Sequence, residues 1–211
     1  MTAIPFPPPD PAILARRDEI IAGLAALVPF ECLVTTHDER RAFETDALTA
    51  YRRLPLAVVL PRSTDEVSAV LKYLHAEGVK IVPRGAGTSL SGGAIPQEDA
   101  VVVGVSKLNR ILEVDYANRT ARVQAGVTNL GITDAITGDG FFYAPDPSSQ
   151  LACTIAGNIG MNSGGAHCLK HGVTTNHILG VRMVLVDGTI VDIGGDHLDR
   201  DRKSTRLNSS H

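Results

Sequence analysis

The chain has 211 residues and a formal net charge of −3, with 44% hydrophobic and 20% charged residues. These values are typical of a globular protein with one sizeable core or two small ones, and they exclude an electrostatic attraction for nucleic acid. No apolar run approaches the length of a membrane span and the N-terminus lacks the layout of a signal peptide, so we expect a cytoplasmic protein.

The first half of the sequence predicts a βαβ unit behind an N-terminal helix. A proline-rich arm precedes Asp10, which is placed to cap a helix over residues 11–28. The continuous apolar run over 56–60 predicts a buried strand. Ser63 and Glu66 form a capping box for a helix that Gly78 ends, and residues 79–82 predict the next strand.

The second half is richer in strands. Patterns that are β-rich or alternating predict strands over 100–105, 110–115 and 121–125, with a turn over 116–119 and a helix over 127–137. Residues 178–193 predict a hairpin with a type I′ turn at Asp187-Gly188. The order of elements indicates an α+β fold of two subdomains with a ligand between them.

A glycine-rich stretch, residues 83–93 with the sequence PRGAGTSLSGG, directly follows the second strand of the βαβ unit. Such a loop exposes main-chain N–H groups that suit a phosphate, and its hydroxyl side chains add donors. It lacks the Gly-Lys-Ser/Thr ending of a P-loop and the GxGxxG spacing of a Rossmann turn. A pyrophosphate-bearing cofactor in another fold is the expected ligand, and a flexible surface loop is the alternative.

Residues 143–172 show neither helix nor strand periodicity and are rich in glycine, asparagine and serine. Thirty residues without regular structure are unusual in a compact domain unless they serve a site. Small residues would let the backbone approach a planar ring system. A tightly packed connector is the alternative interpretation.

The three cysteines, Cys32, Cys153 and Cys168, form no CxxC pair. We therefore expect reduced thiols and predict no metal site.

Both glycine-rich segments resemble the FAD-binding domain of the vanillyl-alcohol oxidase / p-cresol methylhydroxylase (PCMH) superfamily. Within it, residues 46–51 (DALTAY) and 168–174 (CLKHGVT) are similar to the flavin subunit of bacterial glycolate oxidase, whose group includes D-lactate dehydrogenases. The resemblance implies an α+β, two-subdomain FAD-binding PCMH-type domain that is incomplete at its C-terminus. It covers roughly residues 13–197.

The resemblance also assigns a cofactor role to matched positions. The first segment would wrap the pyrophosphate, and the second would line the flavin. Residues near 172 and 181 would approach the flavin or the adenosine end. The implied FAD-binding residues are Pro83, Arg84, Gly85, Ala86, Gly87, Thr88, Ser89, Gly92, Gly93, Pro145, Asp146, Ser148, Ser149, Thr154, Gly157, Asn158, Gly160, Asn162, Gly164, Gly165, Gly172, Val173 and Val181.

The implied reaction is oxidation of a small 2-hydroxy acid to a 2-oxo acid by hydride transfer to FAD. The group resembled binds FAD non-covalently, so His171 and Cys153 are expected to be packed neighbours and not attachment points. The catalytic base and any metal ligands would belong to a missing domain, so no catalytic residue is assigned.

The resemblance is consistent with two functions of the whole protein. One is a catalytic 2-hydroxy-acid dehydrogenase, and the alternative is a non-catalytic FAD-binding subunit of a glycolate oxidase complex. Either could associate with a second flavin-type subunit and an iron–sulfur subunit. Such partners would place an otherwise cytoplasmic protein at the periphery of the inner membrane.

We expect three parts along the chain: an N-terminal arm and helix over 1–50, a truncated FAD-binding domain over 51–200, and a tail over 201–211. The tail, DRKSTRLNSSH, has no apolar periodicity, and one back-translation of it is the adapter read of a sequencing library. We expect the tail to be translated adapter and not native sequence.

Overall fold

The computed structural model describes residues 6–195. Its first layer is a sheet of strand order β1-β2-β4-β3, where β1 is Leu33–Val34, β2 Ala57–Val59, β3 Lys80–Arg84 and β4 Ala100–Gly104. Strands β2 and β3 both run parallel to β4, whereas β1 is antiparallel to β2. The valines of β2 and β4 are buried, which explains their continuous apolar sequence.

Helix α4 (Thr64–Ala76) joins β2 to β3, as the βαβ pattern predicts. The two strands are not neighbours, because β4 inserts between them. Ser63 Oγ accepts from the Glu66 N–H at 3.1 Å, so the predicted cap is confirmed. The second hydrogen bond of the capping box differs from the expected one. The Glu66 side chain accepts from the N–H of Arg62 at 2.7 Å and not from that of the N-cap residue Ser63.

The single N-terminal helix predicted over 11–28 is wrong, because the chain forms two helices, α1 (Pro11–Ala15) and α2 (Arg17–Ala25). The Arg16 N–H donates to the carbonyl of Ile13 at 3.1 Å, three residues back, which tightens the backbone and separates them. Asp10 caps α1 as predicted. Ile13, Ile20 and Leu24 pack in the same core as β2, β4 and α4.

A second, smaller core lies around α5 (Asn129–Ile136) and contains Val127, Ile132, Ile136 and Ile155. Strands β5 (Ile111–Asp115) and β6 (Thr120–Val123) form a hairpin that packs against it. Within the described residues there are thus two apolar cores, in agreement with the two-subdomain expectation.

The segment 143–172, predicted to lack regular structure, contains α6 (Ile155–Met161) and α7 (Cys168–His171). Helix α6 forms despite its glycines because Thr154 caps it and Ile155 and Asn158 are buried. Short 3₁₀ turns occupy Phe30–Cys32, Arg41–Phe43, Thr137–Asp139 and Thr174–His177, and a one-turn helix, α3, covers His37–Arg40.

The last hairpin pairs β7 (Gly180–Val184) with β8 (Ile190–Gly194). Its predicted type I′ turn is wrong. A type I′ turn needs positive φ at both central residues, here Asp187 and Gly188. Among residues 6–195 the non-glycine residues with positive φ are Arg119 and Asn162, so Asp187 does not have it. The Gly188 N–H instead donates to Leu185 O at 2.9 Å and Gly188 alone is left-handed, so the loop has three residues.

Across residues 6–195 no helix combines the length and apolarity that a bilayer crossing requires. The same range contains no group of three histidine, cysteine or acidic side chains arranged to hold a metal ion. The predicted sequencing-adapter tail, 201–211, lies outside the described residues.

A buried carboxylate ties the N-terminal arm to the first sheet. Asp99, fully buried, accepts from Lys80 Nζ at 2.7 Å and from the Asp10 N–H at 2.8 Å. Burial alone raises the pKa of Asp99, but these two donors outweigh it, so the pKa lies below its ordinary value. The stability that the pair contributes is therefore present above pH ~3.9 and is lost as the pH falls through the depressed pKa.

Lys80→Met is expected to lower the free energy of unfolding by about 2 kcal/mol at pH 7, because it leaves a buried carboxylate without its cation. The loss should shrink as the pH falls and Asp99 becomes protonated. Urea unfolding at several pH values measures both effects. Lys72→Met, at an exposed position of α4, is the control. A loss that does not change between pH 7 and acid would contradict the ion-pair explanation.

Candidate functional site

A cleft of about 460 Å³ opens between the two cores. It is formed by the start of the glycine-rich loop, the connection from β6 to α5, and the residues before α6. Its lining residues are Gly85, Ala86, Ser106, Asn109, Ile111, Gly126, Val127, Thr128, Gly131, Ala152 and Thr154. Small and hydroxyl side chains dominate, so the backbone forms much of the wall.

The glycine-rich loop begins where β3 ends, at the carboxyl edge of the parallel strands, as predicted. A Cβ on Gly85 would overlap Thr154 Oγ1 and would lie 3.6 Å from Gly157 Cα. Gly85 is therefore required for this loop to meet α6. The two glycine-rich segments of the sequence come together at this contact.

The loop leaves a run of main-chain donors unused. In the described part of the chain, the N–H groups of residues 85–90 have no protein acceptor, whereas the Ser91 N–H donates to Ser89 Oγ at 3.2 Å. Consecutive free N–H groups beside a cleft are the usual cradle for a phosphate or pyrophosphate. The loop therefore fits the pyrophosphate of a dinucleotide cofactor.

The helix N-termini beside the cleft do not offer donors in the same way. The N–H groups of Ile155 and Ala156 donate to Val127 O at 2.8 Å and Ala125 O at 3.0 Å. At α5, the Asn129 N–H donates to Cys153 O at 3.1 Å. These crossed bonds join α5 and α6 to each other, so neither helix N-terminus offers a run of free N–H groups like that of the glycine-rich loop.

In the second glycine-rich segment, 143–172, the residues before and after α6 contact each other. A Cβ on Gly165 would overlap the carbonyl oxygen of Asp146, so the strings 145–149 and 162–165 are in direct contact. His167 Nδ1 lies 2.5 Å from Asp146 Oδ2, and this hydrogen bond holds the pKa of Asp146 below its usual range. A Cβ on Gly164 would lie 3.0 Å from Val173 Cγ1, which brings Val173 to the same group.

Two buried side-chain atoms of the segment 143–172 lack a hydrogen-bond partner within residues 6–195. They are the Asn158 amide nitrogen, on a residue only 1% exposed, and the Tyr143 hydroxyl, whose pKa burial raises to about 12. An unused Asn158 donor fits a ligand acceptor, because buried amides are otherwise hydrogen-bonded.

The predicted site residues do not all lie together. Gly85, Ala86 and Thr154 line the cleft, and Gly157 adjoins it. Val181 pairs with Ile193 in the last hairpin, whose turn packs on α4: Ser68 Oγ donates to Gly188 O at 2.5 Å. Arg84 is turned away from the cleft, and its Nη1 donates to the carbonyl oxygen of Thr45 at 2.7 Å.

The positions that the sequence prediction missed are Ser106, Asn109, Ile111, Gly126, Val127, Thr128, Gly131 and Ala152. Gly126 carried a usable signal, because it stands alone between a strand and a helix. A Cβ there would overlap Val105 O, so the backbones approach closely. The others are ordinary residues that no motif distinguishes.

Residues 55–194 match the family described as FAD binding domain. The chain belongs to this family. The predicted cofactor, FAD, is confirmed at the level of the family, and the cleft with its free donors is the candidate cofactor site of this FAD-binding domain.

Relatives of known name agree with the family. The domain is 43% identical over 183 residues to "Glycolate oxidase subunit GlcD" of Escherichia coli K12. This alignment covers 87% of this chain and 37% of the relative. It is 40% identical over 159 residues to "D-lactate dehydrogenase" of Archaeoglobus fulgidus, covering 75% of this chain and 35% of that protein. The chain thus spans little more than a third of these relatives.

Solved structures show the same fold. An alkyldihydroxyacetonephosphate synthase aligns with a TM-score of 0.77 at 22% identity, over 95% of this chain and 38% of that one. A p-cresol methylhydroxylase with bound substrate aligns with a TM-score of 0.71 at 19% identity, over 88% and 36%. These alignments confirm the predicted α+β, PCMH-type fold.

Proposed function

We propose that this chain is the FAD-binding part of an FAD-dependent dehydrogenase that oxidises a small 2-hydroxy acid to a 2-oxo acid. The observation that carries the proposal is the run of free N–H groups over 85–90 beside a cleft in a member of the FAD-binding family. The 2-hydroxy-acid class comes from the similarity to GlcD and to D-lactate dehydrogenase.

The residues of the chain divide the work of holding the cofactor. The loop 85–90 would donate main-chain hydrogen bonds to the pyrophosphate. The small residues of 145–149 and 154–165, joined through the Gly165–Asp146 contact, would form the wall for the ring system. Asn158 would donate to an acceptor on the cofactor. FAD, when bound, supplies the hydride acceptor, and the protein supplies position and environment.

We propose that FAD is bound non-covalently. Among the described residues that line the cleft there is neither cysteine nor histidine. Cys153 is buried, and Cys168 Sγ accepts from the Gly165 N–H at 3.0 Å. His171 packs edge-on against Phe142, with ring centroids 6.1 Å apart.

The test is flavin content and flavin reduction of the full-length protein that contains this chain. We expect a yellow protein whose flavin appears in the supernatant after acid precipitation. Glycolate or D-lactate, added without oxygen, should bleach the flavin absorbance, and L-lactate is the stereochemical control. A protein that takes up no FAD on reconstitution would contradict the proposed function. Flavin that stays with the acid-precipitated protein would contradict non-covalent binding.

The same measurement separates the two roles of the whole protein. Bleaching by a 2-hydroxy acid identifies a catalytic subunit. Bound FAD that no 2-hydroxy acid reduces identifies the alternative, a non-catalytic FAD-binding subunit.

We also propose that the protein works with other subunits, because GlcD is by name a subunit of glycolate oxidase. A second flavin-type subunit and an iron–sulfur subunit are the proposed partners, in the cytoplasm or at the inner face of the membrane. Co-purification from cell extract, with iron and flavin analysis of the complex, tests this arrangement.

A further inference from the structure

Arg84 is the last residue of β3, where the glycine-rich loop begins, but its side chain does not face the cleft. Its Nη1 donates to Thr45 O at 2.7 Å and to Ala94 O at 3.3 Å. These carbonyls belong to an upstream segment and to the residue that follows the loop. One guanidinium therefore links the start of the loop, its end and the segment 43–48.

The remainder of the guanidinium fills the inside of the loop. A Cβ on Gly87 would overlap Arg84 Nη2, so Gly87 is shaped around this group and is left-handed, with φ of 72°. The guanidinium carbon lies 5.6 Å from the centre of the Phe43 ring. A planar group that lies over a ring, fills a glycine turn and donates to two carbonyls is one that arginine provides and lysine does not.

Asp46 supplies the counter-charge. It is only 4% exposed, and its Oδ2 has no hydrogen-bond partner within the described residues. Burial lowers the pKa of Arg84, and the charge of Asp46 opposes that shift. Asp46 Oδ1 also accepts from the Leu48 N–H at 2.9 Å, and Leu48 Cδ2 would lie 3.5 Å from a Cβ on Gly92 at the far end of the loop.

We propose that Arg84 and Asp46 are positioning residues for FAD: the guanidinium, fixed between the Thr45 and Ala94 carbonyls and balanced by the Asp46 carboxylate, holds the 85–90 loop in its donor-exposing form. The role replaces the direct phosphate contact expected for Arg84. It rests on the proposed binding of the pyrophosphate by this loop.

The proposal and direct phosphate binding predict opposite results for two variants. Arg84→Lys keeps the charge, so a direct contact would retain FAD affinity. A positioning role predicts that the Kd for FAD rises by about tenfold, since the planar group that lies over Phe43 and fills the Gly87 turn is lost. Asp46→Asn removes a negative charge near the phosphates. Simple electrostatics predicts tighter binding, whereas positioning predicts that the Kd rises by several-fold.

The experiment titrates the full-length protein, stripped of flavin, with FAD and follows quenching of flavin fluorescence. Amide hydrogen exchange of Ile95, whose N–H donates to Gly92 O at 3.2 Å at the end of the loop, is measured in parallel without FAD, and it should be faster in both variants. In the double variant the Kd should rise no further than in Arg84→Lys alone, because both changes break one unit. Asp46→Asn conserves shape and the Oδ1 acceptor, so it serves if Arg84→Lys fails to fold.

Arg40→Lys is the matched control. Arg40 is a partly buried arginine whose Nη1 also donates to two carbonyls, those of Pro55 at 2.5 Å and Leu56 at 3.4 Å, away from the loop. It should change the Kd by less than about twofold. Unchanged Kd and unchanged exchange in Arg84→Lys, or tighter binding in Asp46→Asn, would overturn the inference. A wild-type protein that binds no FAD would instead contradict the proposed function.

Discussion

Gly165→Ala is expected to lower the free energy of unfolding by about 3 kcal/mol and to weaken retention of FAD, because the added methyl has no space. It would overlap the carbonyl oxygen of Asp146 and lie 2.5 Å from Asp146 Oδ1. The first obstacle is backbone and cannot rotate away. The strings 145–149 and 162–165 must then move apart, and this movement would disrupt the proposed wall of the flavin site that they form.

Urea unfolding of the stripped protein measures the stability, and flavin content after gel filtration measures retention. Gly138→Ala is the control, since Gly138 is exposed and has no atom within 4 Å of the added Cβ. It should lie within about 0.5 kcal/mol of wild type. Equal stability of the Gly165→Ala variant and the wild type would show that the two strings do not meet as described.

Gly126→Ala is expected to have an effect of similar size, again about 3 kcal/mol, for a different reason. The methyl would overlap the Val105 carbonyl oxygen and lie 2.9 Å from that of Leu108. The Gly126 N–H donates to Leu108 O at 2.6 Å, so this glycine joins the exit of β4 to the entry of α5. The substitution therefore disturbs the junction between the two cores.

Because Gly126 also lines the cleft, the variant should take up FAD with lower affinity even where it is folded. Thermal melting and fluorescence titration with FAD check the two effects separately. The same Gly138→Ala variant controls for the substitution itself. A Gly126→Ala variant that melts with the wild type and binds FAD equally would contradict the close approach.

The sequence predicted best where one local rule decided the structure. The caps at Asp10 and Ser63 form, Gly78 ends α4 with φ of 68°, and β4 occupies nearly the whole predicted run. Each depends on residues within a few positions of one another. Such signals are complete in the sequence.

Predictions that depended on long-range contacts were less successful. Helix α6 is poor in intrinsic helix formers, and bonds from its first N–H groups to Ala125 and Val127 support it from about 30 residues away. Strand β4 separates β2 from β3, a pairing that the βαβ pattern alone does not specify. Tertiary partners decided both.

The candidate site divides in the same way. Gly85 and Thr154 were recognisable because glycine-rich segments are conspicuous, and the structure brings them into contact. Ser106 and Asn109 reach the cleft only through the turn after β4, and nothing local distinguishes them. The inward direction of Arg84 follows from Thr45, which lies 39 residues upstream.

The path of the chain makes the second core an insertion. Residues before Gly104 build the first layer, the chain then forms the second core, and the last hairpin returns to α4 of the first layer through the Ser68–Gly188 bond. Both ends of the insert are thus anchored on one platform. Changes in the length or sequence of its outer loops, such as 116–119, can be absorbed without moving the strand edge from which the glycine-rich loop starts.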